Sequence, residues 1–121
     1  MDVGDYQLVG YPSVSIDRKR NLLELVGNVT QEHTRFRNEL LRAIESETKL
    51  IVLIEHSNRI KSIEDVEHWQ NPRLRFSSKA MTGDRLANVM RTMSAKYGVE
   101  WQFCDKKNTG KRIIEILREQ L

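Results

Sequence analysis

The sequence predicts an α/β domain, in which helices cover the faces of a central sheet. Three observations support this prediction. An unbroken apolar run lies between Lys49 and Glu55, which is typical of a strand buried on both faces at the centre of a sheet. Residues 83–97 bear apolar side chains at helical spacing, and strand-like segments are interspersed with helical ones along the chain. The length of 121 residues favours a single domain over 1–121.

The first predicted element is a hairpin. Apolar and polar residues alternate in 5–8 and again in 13–17, and Gly10 and Pro12 supply a turn between these segments. If the strands pair antiparallel about Tyr11, facing residues have numbers that sum to about 22. Asp5 then faces Asp17.

Two helices are predicted before the central strand. Residues 21–26 indicate a short helix that ends near Gly27. Thr30 is the expected N-cap of a second helix over about 31–46. The predicted core-facing side chains of that second helix are Phe36, Leu40, Ala43 and Ile44.

The segment 56–79 is polar and irregular, and Pro72 prevents a long continuous helix within it. The segment ends in a basic cluster of Arg73, Arg75 and Lys79. Long irregular segments in small domains are commonly functional. Two interpretations stay open: a flap that faces DNA, and a dimer contact with Trp69 and Phe76 as apolar anchors.

Three elements complete the predicted fold. A helix over 83–97 ends at Gly98, because glycine readily adopts the left-handed conformation that stops a helix. A strand over 99–103 alternates apolar and polar residues. A last helix begins at a cap provided by Asn108 or Thr109.

Composition narrows the classes of function. The net charge of +3 and the isoelectric point near 9.2 permit a phosphate-bearing partner without demonstrating one. The single Cys104 excludes an internal disulfide and a multi-cysteine zinc site. The first residues are polar and acidic, and the longest apolar run is too short to span a membrane. We therefore expect an intracellular protein with no membrane partner.

Asp5, Asp17 and Lys19 form the candidate chemical site. Two facing carboxylates repel each other, so removing one is expected to relieve strain in the metal-free protein, and a divalent cation would neutralise the pair. Lys19 lies two residues after Asp17 in the strand and therefore points to the same face. Carboxylate oxygens suit Mg²⁺, which activates water for phosphodiester hydrolysis. The alternative is a surface hairpin with scattered charges.

Asp5 followed by Asp17-x-Lys19 resembles the core of the PD-(D/E)XK restriction-endonuclease superfamily. More narrowly, Gly4-Asp5-Tyr6 with Ile16-Asp17-Arg18-Lys19 resembles the signature of the XPF-type nuclease domain. The later segments 82–87, 96–98 and 110–114 are similar to phage and prophage members of that group.

This resemblance implies a restriction-endonuclease-like mixed sheet flanked by helices and lacking the family's first strand, so that the chain is either truncated or reduced. It implies a DNA endonuclease, active on branched DNA, with Mg²⁺ or Mn²⁺ as cofactor and DNA as partner. Asp5 and Asp17 would hold the metal, and Lys19 would orient water or stabilise the transition state. Domains of this type often pair, which implies a homodimer.

The match has departures. Asp17 stands where the signature has a longer glutamate, and Leu23 stands where it has its last aspartate, with Glu24 one step late. A catalytically inactive DNA-binding or assembly subunit is therefore the alternative hypothesis. The candidate accessory acids are Glu24, Glu39 and Glu55, and Glu55 is also interpreted as a simple strand-end carboxylate.

Three arginines are the candidate DNA contacts: Arg18, Arg35 and Arg42. Arg18 is expected on the face opposite Lys19, where it would brace the site or bind phosphate. Arg35, Glu39 and Arg42 share one helix face, which is either a solvated face with helical ion pairs or a border of the active site.

Overall fold

The computed structural model describes residues 6–8, 13–56 and 59–119, and for 6–8 and 13 it describes only the backbone. The strands are β1 (Tyr6–Leu8), β2 (Ser13–Lys19), β3 (Thr48–Glu55) and β4 (Glu100–Cys104). The helices are α1 (Leu22–Thr30), α2 (His33–Glu45), α3 (Ile63–Glu67), α4 (Gly83–Tyr97) and α5 (Thr109–Glu119). Short 3-10 turns cover Pro72–Arg75 and Lys106–Asn108. None of the helices in these ranges is long and apolar enough to cross a membrane.

The four strands form one sheet in the order β1-β2-β3-β4. β1 runs antiparallel to β2, whereas β2, β3 and β4 are mutually parallel. Tyr6 pairs with Ile16, and the numbers of all three facing pairs in β1 and β2 sum to 22. The predicted hairpin pairing is therefore confirmed over the part of β1 that the structure describes. The α/β class and the interior position of β3 are confirmed as well.

Helices cover the two faces of the sheet unequally. Leu50, Val52 and Ile54 of β3 pack against α1, α2, α3 and α4 in the larger core, and we call this side the four-helix face. Ile51 and Leu53 point the opposite way and pack against α5, on what we call the α5 face. Every residue from Leu50 to Glu55 is buried, which is why the sequence of β3 is apolar throughout.

The structure corrects the predicted boundary between α1 and α2. α1 starts at the Asn21 cap, whose side chain accepts a hydrogen bond from Glu24 N, and it continues through Gly27 to Thr30. Thr30 does not cap α2, because its hydroxyl donates to Val26 O inside α1. α2 begins after Glu32 without a side-chain cap.

Of the other helix predictions, the end of α4 is confirmed and one core position of α2 is wrong. Gly98 ends α4 with φ of 71°, as predicted. The prediction that Ile44 faces the core is wrong, because its side chain is 48% exposed, whereas Phe36, Leu40 and Ala43 are buried. The 3-10 turn Lys106–Asn108, which leads into α5, is capped by Asp105, whose carboxylate accepts hydrogen bonds from Lys107 N and Asn108 N.

Candidate active site

The carboxyl end of β2 places Asp17 and Lys19 on the four-helix face. Val14 and Ile16 of the same strand pack on the α5 face, so the alternation of a strand directs Asp17 and Lys19 to the other side. The two side chains form an ion pair with 3.0 Å between Lys19 Nζ and Asp17 Oδ2. Both residues are buried, with 6% of Asp17 and 8% of Lys19 exposed.

Lys19 contacts the aromatic ring of Phe36, and both residues line a polar cavity. Its Nζ is 5.3 Å from the centroid of the Phe36 ring, within the range of a cation–π contact. The cavity has a volume of about 350 Å³ and lies between α1 and α2, where Lys19 reaches its wall from β2. The ammonium group is therefore held at the edge of a space large enough for a small ligand.

Acidic and basic side chains share the wall of this cavity. Glu24 pairs with Arg20 at 3.1 Å, and Arg35 pairs with Glu32 at 3.2 Å. Glu39 also lines the wall and is half-buried. The candidate residues Glu24, Arg35 and Glu39 thus lie in one cavity with Lys19.

Asn28 also lines the cavity, and its Oδ1 is buried without a hydrogen-bond partner among the described residues. A buried polar atom of this kind can accept a hydrogen bond from water or from a ligand in the cavity. Sequence analysis missed Asn28, because a lone asparagine near the predicted end of a helix carries no distinctive signal.

Carboxylate and amide oxygens around the cavity are of the type that Mg²⁺ prefers, and that ion needs only one or two protein carboxylates besides water. Within 6–8, 13–56 and 59–119, no group of three or more His, Cys, Asp and Glu residues could hold a metal ion. Asp5, the other predicted metal ligand, lies outside the described residues. Asp17 is therefore the one predicted metal ligand that the structure places.

The other two candidates at this end of the sheet lie on the α5 face. Arg18 Nε is 3.1 Å from Glu55 Oε1, and Glu55 is buried. Glu55 thus does not join Asp17 and Lys19, and its alternative interpretation as a strand-end carboxylate fits the structure. Arg18 lies opposite Lys19, as predicted. Arg42 is exposed on α2 and is not part of the cavity wall beside Lys19.

His56 is a further polar residue at the carboxyl end of β3. Its Nδ1 accepts a hydrogen bond from Leu22 N at 3.4 Å, and its ring meets Trp69 edge-on with 6.2 Å between centroids. Burial lowers the pKa of His56, and the charge of Lys106 lowers it further. The neutral ring thus links the start of α1 to the segment after α3. Its place directly after a buried strand was the available signal in the sequence.

Cys104 lies at the end of β4, with its Sγ 3.8 Å from Thr109 Oγ1. Burial raises the pKa of the Cys104 thiol, which keeps it protonated and poorly nucleophilic at neutral pH.

No protein-family model, curated protein or solved structure matches this chain.

Proposed function

We propose that this protein is a Mg²⁺- or Mn²⁺-dependent DNA endonuclease with a restriction-endonuclease-like fold, selective for branched DNA. The observation that supports it is the buried ion pair of Asp17 and Lys19, which lies beside a polar cavity at the carboxyl ends of parallel strands. Transferring two charges from water into the protein interior costs several kcal/mol, which is about as large as the Coulombic attraction between them. Ionisable groups kept at that cost beside a cleft are candidates for chemistry.

Asp5 is the second carboxylate in this proposal. It immediately precedes Tyr6 in the chain, and Asp17 immediately follows Ile16, the residue that pairs with Tyr6. Asp5 itself lies outside the described residues, so its part in the site is assigned from the sequence motif. Two carboxylates match the small number of protein ligands that Mg²⁺ requires.

Each residue then has a defined role. Asp5 and Asp17 would bind the cation, which when bound supplies an activated water and neutralises charge on the phosphate. In the metal-free protein, Lys19 neutralises Asp17. During the reaction, the same ammonium would donate a hydrogen bond to the attacking water or to a phosphate oxygen. Arg35 would contact the DNA backbone, and Glu24 and Glu39 would serve as accessory acids in the cavity.

A catalytically inactive DNA-binding or assembly subunit is the second candidate, and one observation favours it. Leu23 is half-buried where the resembling family has an acid, and Glu24, the neighbouring acid, is already paired with Arg20. In that case the Asp17 and Lys19 pair would only stabilise the fold.

A cleavage assay tests the first proposal. Labelled flap, fork and linear duplex DNA are incubated with the protein, with and without Mg²⁺ or Mn²⁺. We expect metal-dependent cleavage that Asp17→Asn and Lys19→Ala each reduce by at least about 10²-fold. Glu55→Gln is the matched control, because it alters the buried carboxylate on the other face. Equal cleavage by the wild type and both site variants contradicts the mechanism.

Metal binding gives a readout that does not depend on turnover. Ligands that bind only the folded state stabilise it by about 2.7 kcal/mol at a concentration 100 times their dissociation constant. Thermal unfolding is therefore followed as Mg²⁺ or Mn²⁺ is added. A shift that Asp17→Asn removes and Glu55→Gln retains supports the site. No shift, together with DNA binding that weakens steeply with salt, supports the inactive subunit.

A further inference from the structure

A basic loop with one exposed aromatic ring lies between α3 and α4. We define the basic loop as residues 72–79. Phe76 is 90% exposed, far more than the other exposed large hydrophobic residues of the described part of the chain. Single apolar residues are common on protein surfaces, so the case for a partner depends on what surrounds this ring.

The fold holds this loop in a set conformation. Asn71 is buried, its Oδ1 accepts a hydrogen bond from Arg73 N at 3.0 Å, and its Nδ2 donates to Met81 O at 2.8 Å. Phe76 N donates to Arg73 O at 3.0 Å, which closes the 3-10 turn. Phe76 is therefore presented on an ordered turn that is fixed at both ends.

The charged residues of the basic loop are all positive. Arg73, Arg75 and Lys79 are exposed and form no ion pair with residues in the described ranges. No acidic residue occurs between positions 68 and 83. Of the acids that flank this stretch, Glu67 pairs with Arg91, and Asp84 accepts a hydrogen bond from the Thr82 hydroxyl.

We propose that the basic loop binds single-stranded nucleic acid, with one base stacked on Phe76 and the adjacent phosphates at Arg73, Arg75 and Lys79. Flexible single strands expose the faces of their bases, whereas a duplex keeps them stacked inside. The isolated ring, surrounded by cations, suits this partner better than an apolar protein surface would. The site specifies which form of DNA the proposed nuclease holds, yet it uses neither Asp17 nor Lys19.

The base of the loop lies at the same end of the sheet as the candidate active site. Trp69 precedes the loop by three residues and contacts His56 edge-on, and His56 accepts a hydrogen bond from the first residue of α1. The loop therefore leaves the core at the same end of the sheet as Asp17 and Lys19.

Fluorescence anisotropy with labelled oligo-dT and oligo-U, in buffer containing EDTA, tests this site without cleavage. Phe76→Ala should weaken binding about 5- to 150-fold, the loss expected for one stacked base. Phe76→Leu should weaken it similarly, because leucine keeps the apolar surface but has no aromatic face. Ile114→Ala, which alters an exposed apolar residue of α5, is the matched control and should bind like the wild type. The thermal midpoint should not change in any of these variants.

Salt dependence tests the phosphate contacts. Replacing Arg73, Arg75 and Lys79 together by Gln should reduce the slope of log affinity against log salt by about 2, since each single-strand phosphate contact contributes roughly 0.7. Phe76-dependent binding of either DNA or RNA supports the site. The proposal is overturned if Phe76→Leu binds nucleic acid as tightly as the wild type. It is also overturned if Phe76→Ala loses self-association in sedimentation while its nucleic-acid binding is unchanged. These binding measurements do not depend on nuclease activity, so they test the site even if the protein does not cleave DNA.

Discussion

The two faces of the sheet each bury one carboxylate at the carboxyl ends of β2 and β3, and they neutralise it differently. On the four-helix face, Asp17 pairs with Lys19, and only 9% and 11% of these side chains are exposed. On the α5 face, Glu55 pairs with Arg18, and 41% of the Arg18 side chain is exposed. One pair has both charges out of water, and the other keeps one charge in contact with it.

This difference indicates where chemistry is to be sought. A half-exposed arginine reaches water easily, so the Arg18 and Glu55 pair resembles an ordinary structural contact at the rim of the core. The Asp17 and Lys19 pair bears a larger desolvation cost and lies beside a cavity. Burial of a carboxylate alone therefore does not distinguish the two faces, whereas the exposure of its partner does.

The largest predicted effect comes from breaking the Asp17 pair. Asp17→Asn leaves the Lys19 charge buried without its partner, which should lower the free energy of unfolding by about 3–5 kcal/mol. Glu55→Gln should lower it by only about 1 kcal/mol, because Arg18 can turn to solvent. Urea denaturation measures both values. This cost is opposite in sign to the relief of Asp5–Asp17 repulsion expected from sequence, which stays a prediction because Asp5 lies outside the described residues.

The double variant Asp17→Asn/Lys19→Met is the control for this prediction. It removes both charges and replaces the ammonium by an apolar end of similar length, so most of the lost stability should return. If Asp17→Asn costs no more than Glu55→Gln, the two pairs are equivalent and the distinction between the faces fails.

Packing of the helices supplies the next prediction. A Cβ at Gly83, the first residue of α4, would collide with the backbone carbonyl oxygens of Val66 and Trp69. Because backbone atoms cannot move aside cheaply, Gly83→Ala should destabilise the protein by about 1–3 kcal/mol in thermal or urea unfolding.

Gly110 in α5 is the matched control for Gly83. A Cβ there meets nothing within 4 Å, so Gly110→Ala should be neutral or stabilise by up to about 1 kcal/mol through helix propensity. Equal effects of the two substitutions would mean that α3 and α4 do not approach as closely as described.

The sequence predicts which face of the sheet a side chain points to only where polar and apolar residues alternate along the strand. Polar and apolar residues alternate in β2, so the sequence alone places Asp17 and Lys19 on one face and Arg18 on the other. β3 is apolar on both faces, so its sequence contains no alternation to show which way Glu55 points. Only the pairing of β3 with β2 resolves this, and it directs Glu55 to the α5 face.

Helix boundaries were predictable where one residue determines them. Gly98 ends α4 because its backbone adopts the left-handed conformation that glycine tolerates best. Thr30 was ambiguous, because a threonine hydroxyl can either cap a following helix or bond back to the preceding turn, as it does here. The packing of α1 on the core decides between these choices, and that packing is not encoded in the local sequence.

The smallest predicted effect concerns His56, which directly follows β3. Its ring accepts a hydrogen bond from Leu22 N of α1, and the charge of Lys106, before α5, acts on it. The pKa of His56 is lowered in the folded protein, while an unfolded chain takes up the proton near pH 6.5. The stability that the neutral ring contributes is thus complete above pH 6.5 and is lost as the pH falls through the folded pKa.

His56→Asn keeps an acceptor for Leu22 N without titrating, so urea denaturation from pH 7.5 to pH 5 should show a smaller loss of stability than in the wild type. His33→Asn, at an exposed position of α2, is the control and should keep the wild-type pH dependence. If His56→Asn loses as much stability as the wild type over this pH range, the protonation of His56 does not contribute to the pH dependence of stability.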